Sequence, residues 1–223
     1  MKMAARSPVR VVGISGPDGA GKTTTARALA SELRRRGHPV REIYLYGCFF
    51  CRRLPSGLRT ANGHADGHAE RGNAVWRAAR GTHAMIDALE LTARLWVATR
   101  APFQPPFVTG AAADSVVVTD RSPVDGLAKH GPESNTLSAK MFDSALGRYD
   151  VVFYLDAPAS VLAQRDGEHS PDELDAARRR FDRWLPRFAD VVRRIDVGDR
   201  EAESVVSTLA AASRFRRISG QKA

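Results

Sequence analysis

Short apolar stretches alternate with longer amphipathic stretches along this chain. Residues 9–15 form an apolar run, rich in valine, that is typical of a buried strand. Residues 23–37 place alanine and leucine at helical spacing and end in Gly37, which predicts a helix and its stop. Further apolar runs predict four more strands, at residues 39–46, 114–120, 149–156 and 192–197.

Three other segments have helical patterns. Residues 82–100 predict a long helix, and a last helix is expected at about residues 200–215. Ser170 as N-cap, Pro171 in the first turn and Glu173 three residues after the cap form a capping box, which predicts a helix that starts there. Residues 52–81 are rich in Gly, Arg, Ala and His, so we expect an irregular segment there. Strands that alternate with helices favour an α/β fold, with a parallel sheet covered on both faces.

Composition favours one domain over residues 1–223, because 43% of the 223 residues are hydrophobic and can form one core. The chain has no apolar run of the roughly 18 residues that a membrane span needs, and its start does not resemble a secretory signal. We therefore expect a cytoplasmic protein that does not associate with a membrane. The net charge of +9 suits anionic small molecules. Nucleic acid is an alternative partner, but no aromatic-basic motif supports it.

Residues 16–23 fit the pattern G-x-x-x-x-G-K-[ST], between a predicted strand and a predicted helix. Such a loop points backbone N–H groups at phosphate oxygens, and the helix adds its positive end. We expect Lys22 to reach the donor's β- and γ-phosphates and the Thr23 hydroxyl to hold Mg²⁺. A chance glycine turn is the alternative. The predicted donor contacts are Gly16, Asp18, Gly19, Ala20, Gly21, Lys22, Thr23 and Thr24.

Two further pairs of residues have side chains suited to binding a nucleotide and its Mg²⁺. Asp120 and Arg121 follow three valines, at the edge of the sheet where ligands bind in open α/β folds. The aspartate suits Mg²⁺ and the arginine suits a phosphate, although a surface salt bridge is the alternative. Trp96 and Arg100 lie four residues apart, so they share a helix face and could stack on a base and hydrogen-bond its edge. Alternatively, Trp96 is an ordinary core residue.

Four segments together resemble the thymidylate kinase family of nucleoside monophosphate kinases, over roughly residues 10–212. They are "GPDGAGKTT", "LWVATR", "VVVTDRS" and "VFYLDAPASVLAQR". The resemblance implies a three-layer P-loop kinase fold with sheet order 2-3-1-4-5 and a helical lid. It also implies ATP- and Mg²⁺-dependent phosphoryl transfer to a nucleoside monophosphate, a homodimer, and contact between Asp18 and the acceptor's sugar hydroxyl.

The same resemblance predicts where the catalytic arginines lie. The residue after Asp18 is Gly19, a pattern that in this family accompanies arginines from the lid, here about residues 165–180. Arg165 is the first candidate, followed by Arg178, Arg179 and Arg180. The predicted catalytic set is Lys22, Asp120, Arg121 and Arg165, with Asp18, Trp96, Arg100 and Arg121 binding the acceptor; Arg52 or Arg53 could also hold its phosphate.

The chain departs from the family pattern after Arg121. Ser122 stands where the family usually has a bulky aromatic residue, and "PVDGLAKHG" follows it. We expect a loop there, whose Asp125 and Lys129 either touch the substrate or are ordinary loop charges. The sequence therefore does not determine which compound accepts the phosphoryl group. A kinase of a non-nucleotide hydroxyl compound, such as an antibiotic or sugar, is one alternative, and a nucleotide-dependent nucleic-acid-binding protein is another.

The predicted acceptor-binding insert, at about residues 47–82, contains Cys48, Cys51, His64 and His68. Their spacing, C-x₂-C-x₁₂-H-x₃-H, matches a tetrahedral zinc site. The large apolar residues of a zinc-finger core are missing from the segment. The alternative to bound Zn²⁺ is a pair of free thiols with two exposed histidines.

Overall fold

The five strands form one parallel sheet in the order β2-β3-β1-β4-β5. The structure is a computed structural model, and it describes residues 9–45, 74–100, 115–131, 136–200 and 202–212. The predicted α/β class and strand order 2-3-1-4-5 are confirmed. The strands are β1 Val9–Ser15, β2 Val40–Tyr44, β3 Ser115–Asp120, β4 Val151–Asp156 and β5 Val192–Asp196.

Seven α-helices and a short 3₁₀ helix, Leu185–Phe188, are seen within the described residues. In that part of the chain no helix combines the length and apolar character needed to cross a membrane. The helices are α1 Lys22–Arg35, α2 Ala74–Arg100, α3 Pro123–His130, α4 Leu137–Leu146, α5 Ala159–Asp166, α6 Pro171–Asp182 and α7 Ala202–Ala212.

Helices cover both faces of the sheet because successive strand residues point to opposite sides. Val12 and Ile14 of β1 pack with α1, α5 and α7 on one face. Val11 and Val117 pack with α2, α3, α4 and α6 on the other. Burial on both faces explains why the inner strands β1, β3 and β4 are mostly apolar, whereas the edge strands β2 and β5 carry charged residues. All five carboxyl ends lie along one edge, and the candidate site is at that edge.

The helix α2 begins at Ala74, so the expectation of an irregular segment over residues 52–81 is wrong for its last part. Alanine and arginine there are good helix formers even though their apolar periodicity is weak. The rest of that segment lies outside the described residues, and so do the following residues of the predicted insert: Cys48, Cys51, Arg52, Arg53, His64 and His68.

The segment after Arg121 is a helix rather than the expected loop, so Asp125 and Lys129 lie on α3. Ser122 caps this helix, and Asp125 completes a capping box with it. Pro123 begins the helix and Gly131 ends it in a left-handed conformation. The capping residues were visible in the sequence, but eight residues containing a glycine give little periodicity.

Candidate functional site

The loop that follows β1 is held tightly against its neighbours. This glycine loop, residues 16–21, has positive φ at Gly16, Gly19 and Gly21. A Cβ atom at Gly16 would lie 2.5 Å from the backbone oxygen of Leu155, and one at Gly19 would run into the backbone oxygen of Leu162. The loop therefore depends on glycine both for its backbone angles and for its close approach to β4 and α5.

Lys22 is buried at the first position of α1, with 7% of its surface exposed. Its Nζ donates to the backbone oxygen of Pro17 at 2.8 Å and to Asp18 Oδ1 at 3.1 Å. The preceding N-cap, Gly21, gives α1 no side-chain cap. The helix thus presents backbone N–H groups and a lysine at one place, which is an arrangement suited to an anion.

Thr23 and Asp120, predicted from separate motifs, are in direct contact. Thr23 Oγ1 donates to Asp120 Oδ2 at 2.6 Å across the end of β3. The other carboxylate oxygen, Oδ1, is buried and has no hydrogen-bond partner among the described residues. A buried oxygen without a donor costs free energy, on the order of 1–3 kcal/mol. This pair of oxygen ligands is the chemistry that a hard divalent cation prefers.

Arg121 has an unusual backbone conformation. Its φ of 80° makes it the one non-glycine residue with positive φ within the described ranges. Its N–H nevertheless continues the sheet by donating to the Ile14 oxygen at 2.8 Å. This conformation directs the side chain to the glycine loop, where Nη2 donates to Asp18 Oδ1 at 3.2 Å. Left-handed backbone at such a residue costs about 1 kcal/mol.

A buried hydrogen-bond network lies beneath Arg121. Asp125 Oδ2 accepts from Ser15 Oγ at 2.6 Å and from the Ser122 N–H at 2.8 Å. The Ser15 and Ser122 hydroxyls are 2.6 Å apart. Burial raises the pKa of Asp125, against the opposing effect of Arg121 and Lys22. The small Ser122 side chain thus leaves room for this buried carboxylate network.

Lys129, the other charge predicted for this segment, faces α2. Its Nζ donates to Asp87 Oδ2 at 3.3 Å, and His130 Nε2 lies 2.6 Å from the same oxygen. The His83 ring lies 5.6 Å from that of His130, and burial lowers the pKa of His83. These contacts join α2 to α3 in a polar cluster that sequence reasoning did not identify.

The predicted lid arginines are engaged elsewhere in the structure. Arg165 donates to the backbone oxygens of Val197 and Gly198 at 3.0 and 2.8 Å, after the end of β5. Arg178 donates through Nε and Nη2 to Asp156 at 2.8 and 3.1 Å, and Arg179 pairs with Asp175. Their roles in transfer stay predictions.

Trp96 and Arg100 are together, but on an exposed part of α2. Trp96 is 45% exposed, so the alternative that it is an ordinary core residue is wrong. The Arg100 guanidinium lies 4.8 Å from its ring centroid, a cation–π contact. Leu95 and Ala98 form the side of the helix that packs on the sheet.

Sequence reasoning missed Glu90 and Arg94. Glu90 is buried and paired with Arg94, whose Nη1 donates to the Tyr44 oxygen at 3.1 Å, at the carboxyl end of β2. The signal available was their spacing of four residues, with Leu95 directly after Arg94. This ion pair, with Glu90 buried and Arg94 half-buried, is a second candidate for contact with an acceptor.

No protein-family model matches the chain, and no curated protein matches it either. The resemblance described above therefore remains a resemblance. Within the described ranges, no group of three or more His, Cys, Asp or Glu side chains is arranged to hold a metal ion. The predicted zinc ligands lie outside those ranges.

Proposed function

We propose that the chain transfers the terminal phosphoryl group of ATP, with Mg²⁺, to a nucleoside monophosphate or a related nucleotide, as a P-loop kinase similar to thymidylate kinases. One observation carries the proposal. A buried lysine begins a helix directly after a tight glycine loop, and the next residue, Thr23, is hydrogen-bonded to Asp120 of the adjacent strand. A chance glycine turn would not require this pairing across the sheet.

Charge neutralisation is what this transfer needs most, because the transition state spreads negative charge over the phosphoryl oxygens. The backbone N–H groups of Gly16 and residues 18–21 and the amino group of Lys22 bind the donor phosphates; Pro17 has no N–H to offer. The present partners of Lys22, the Pro17 oxygen and the half-exposed Asp18, are the contacts that a bound phosphate would replace. Burial of Lys22 strengthens its attraction for an anion.

The residues present fit Mg²⁺. Thr23 Oγ1 and Asp120 Oδ1 are the two oxygens that would hold it, directly or through water, and Asp120 Oδ1 now lacks a donor. When bound there, the ion would offset the negative charge of the donor's phosphates.

On the acceptor side, Arg121 binds the acceptor's phosphate from the end of β3. For the base, Glu90 and Arg94 lie beside the end of β2, whereas Trp96 and Arg100 occupy an exposed side of α2. We therefore prefer Glu90 and Arg94 for this contact. Arg165 would have to leave the oxygens of Val197 and Gly198 to reach a phosphate.

The test is ADP release from ATP and Mg²⁺ with a panel of nucleoside monophosphates. At least one should stimulate release well above the rate without acceptor, and Lys22→Ala should lower that rate on the order of 100-fold or more. Arg34→Ala is the matched control, since Arg34 is a cation of α1 whose partner is the exposed Glu42. A panel with no active member would contradict the proposed acceptor class.

A second candidate is phosphorylation of a neutral hydroxyl group on a non-nucleotide compound. It is favoured by the charges around Arg121, which is paired with Asp18 and lies 4.0 Å from Asp125 Oδ1. Two carboxylates reduce its attraction for a phosphate dianion. Under this alternative, Arg121→Ala keeps most of the activity, and sugars or aminoglycosides stimulate ADP release where nucleotides do not.

We also propose that the chain forms a homodimer in the cytoplasm. Leu89, Trp96 and Val97 on α2 are 54, 45 and 56% exposed, and pairing α2 with a second copy would bury them. Light scattering should then give twice the 24.3 kDa chain mass. Nucleic-acid binding stays a less favoured prediction, and it would appear as binding that weakens steeply with salt.

A further inference from the structure

A single carboxylate oxygen lies between the two cations of the candidate site. Asp18 Oδ1 accepts from Lys22 Nζ at 3.1 Å and from Arg121 Nη2 at 3.2 Å. Lys22 belongs to the donor side and Arg121 comes from the end of β3, 103 residues from Asp18 in sequence. The two cations are more buried than the carboxylate, with side chains 7 and 24% exposed against 49% for Asp18.

The electrostatics of Asp18 depend on both partners. Partial burial opposes its ionisation, but Lys22 and Arg121 outweigh burial, so the pKa of Asp18 lies below its usual value. The carboxylate is therefore ionised at neutral pH. It would compete with a phosphate for Lys22, while Arg121 shares the same carboxylate oxygen with Lys22.

Binding of a triphosphate changes this balance. When Lys22 turns to the donor phosphates, Asp18 loses one of its two counter-charges while a new anion arrives beside it. A carboxylate left alone next to phosphates would weaken donor binding. Arg121 is placed for a compensating role, because its positive φ and its backbone bond to the Ile14 oxygen fix the point from which its guanidinium donates to Asp18.

We propose that Arg121 is a positioning residue for the donor as well as an acceptor contact: it retains Asp18 when Lys22 turns to the triphosphate. The inference rests on the proposed function and extends it, since it links the donor and acceptor sides through one oxygen atom. The alternative is direct attraction, in which the charge of Arg121 attracts the triphosphate by itself. In that case the effect of Arg121 on donor affinity would not depend on Asp18.

A double-mutant cycle on donor affinity distinguishes positioning through Asp18 from direct attraction by Arg121, and the measurement needs no acceptor. Calorimetry measures the Kd of Mg²⁺ with AMP-PNP, a non-hydrolysable ATP analogue, for wild type, Arg121→Gln, Asp18→Asn and the double variant. We expect Arg121→Gln to weaken binding about 3–10-fold when Asp18 is present and less than about 2-fold with Asp18→Asn. Asp18→Asn alone should tighten binding, because it removes the competitor for Lys22.

The control is Arg34→Gln, which removes the same charge from an exposed ion pair of α1 and should leave the Kd unchanged. Arg121→Met and Asp18→Ala repeat the cycle with other side chains, and thermal unfolding verifies that each variant is folded. Equal weakening by Arg121→Gln in both backgrounds would overturn the inference in favour of direct attraction. Absence of AMP-PNP binding by the wild type would instead overturn the proposed function, and the inference with it.

Discussion

The glycine loop is tight because two of its positions meet backbone oxygens of β4 and α5. At Gly19 an added Cβ would collide with the Leu162 oxygen, and φ is 78°. Gly37 is a matched comparison, because its φ is 88° but nothing lies within 4 Å of its Cβ position. The two glycines therefore separate backbone strain from steric contact.

We expect Gly19→Ala to lower the free energy of unfolding by about 2–4 kcal/mol, since strain and overpacking add. Gly37→Ala, which has the strain alone, should cost about 1 kcal/mol. Urea unfolding measures both. Equal losses for the two variants would show that the contact with Leu162 has no energetic weight.

Asp125 predicts a pH dependence of stability. Burial raises the pKa of Asp125 in the folded state above the unfolded value of about 3.8. Between these two pKa values the folded protein therefore binds more protons than the unfolded chain. Stability from this group therefore falls as pH rises above about 4. We expect Asp125→Asn, measured against wild type by urea unfolding, to gain relative stability from pH 4 to pH 7. An unchanged difference across this range would contradict the argument.

At the scale of elements, two capping boxes of the same chemistry sit in different surroundings. Ser122 is the N-cap of α3 and is 1% exposed, with its hydroxyl also 2.6 Å from that of Ser15. Ser170 is the N-cap of α6, lies at the surface and donates to Glu173. The predicted capping box at Ser170 is confirmed.

Replacing each cap with alanine should show the effect of burial. Ser170→Ala is expected to cost about 1 kcal/mol, the usual value for an exposed cap. Ser122→Ala should cost about 2–3 kcal/mol, since it also removes a buried hydrogen-bond partner. Thermal unfolding followed by circular dichroism compares them; a larger loss for Ser170→Ala would reverse the interpretation of α3.

The three inner strands, β1, β3 and β4, could be predicted because each is a short, mostly buried apolar run, a signal that depends little on tertiary contacts. The helix α3 could not, because Gly126 packs directly against the Phe142 ring of α4 and interrupts the periodicity. Lys22, Thr23 and Asp120 were found through local motifs. Arg94 was missed because its partner, the Tyr44 oxygen, lies 50 residues away. The contacts of Arg165 with residues 197 and 198 are likewise tertiary.

For the whole molecule, the sheet order brings the ends of β1 and β3 side by side and so joins Thr23 to Asp120. A ligand bound there should stabilise the complete fold by mass action. At 100 times its Kd, Mg²⁺ with AMP-PNP adds about 2.7 kcal/mol, which raises Tm by roughly 5–10 °C for a chain of this size. Lys22→Ala should abolish the shift in scanning fluorimetry, while Arg34→Ala should keep it. A shift that survives Lys22→Ala would place the ligand elsewhere.

The close contact between α5 and the glycine loop also limits how α5 and α6 can move relative to the sheet. Because the Leu162 oxygen abuts Gly19, the start of α5 cannot swing without carrying the loop with it. Gly167, with φ of 75° and open space around its Cβ position, is the first place beyond Leu162 where the chain can hinge. Rotation of α6 about that hinge would have to break the two bonds from Arg178 to Asp156 and expose Leu174 and Phe181, which are buried in the core.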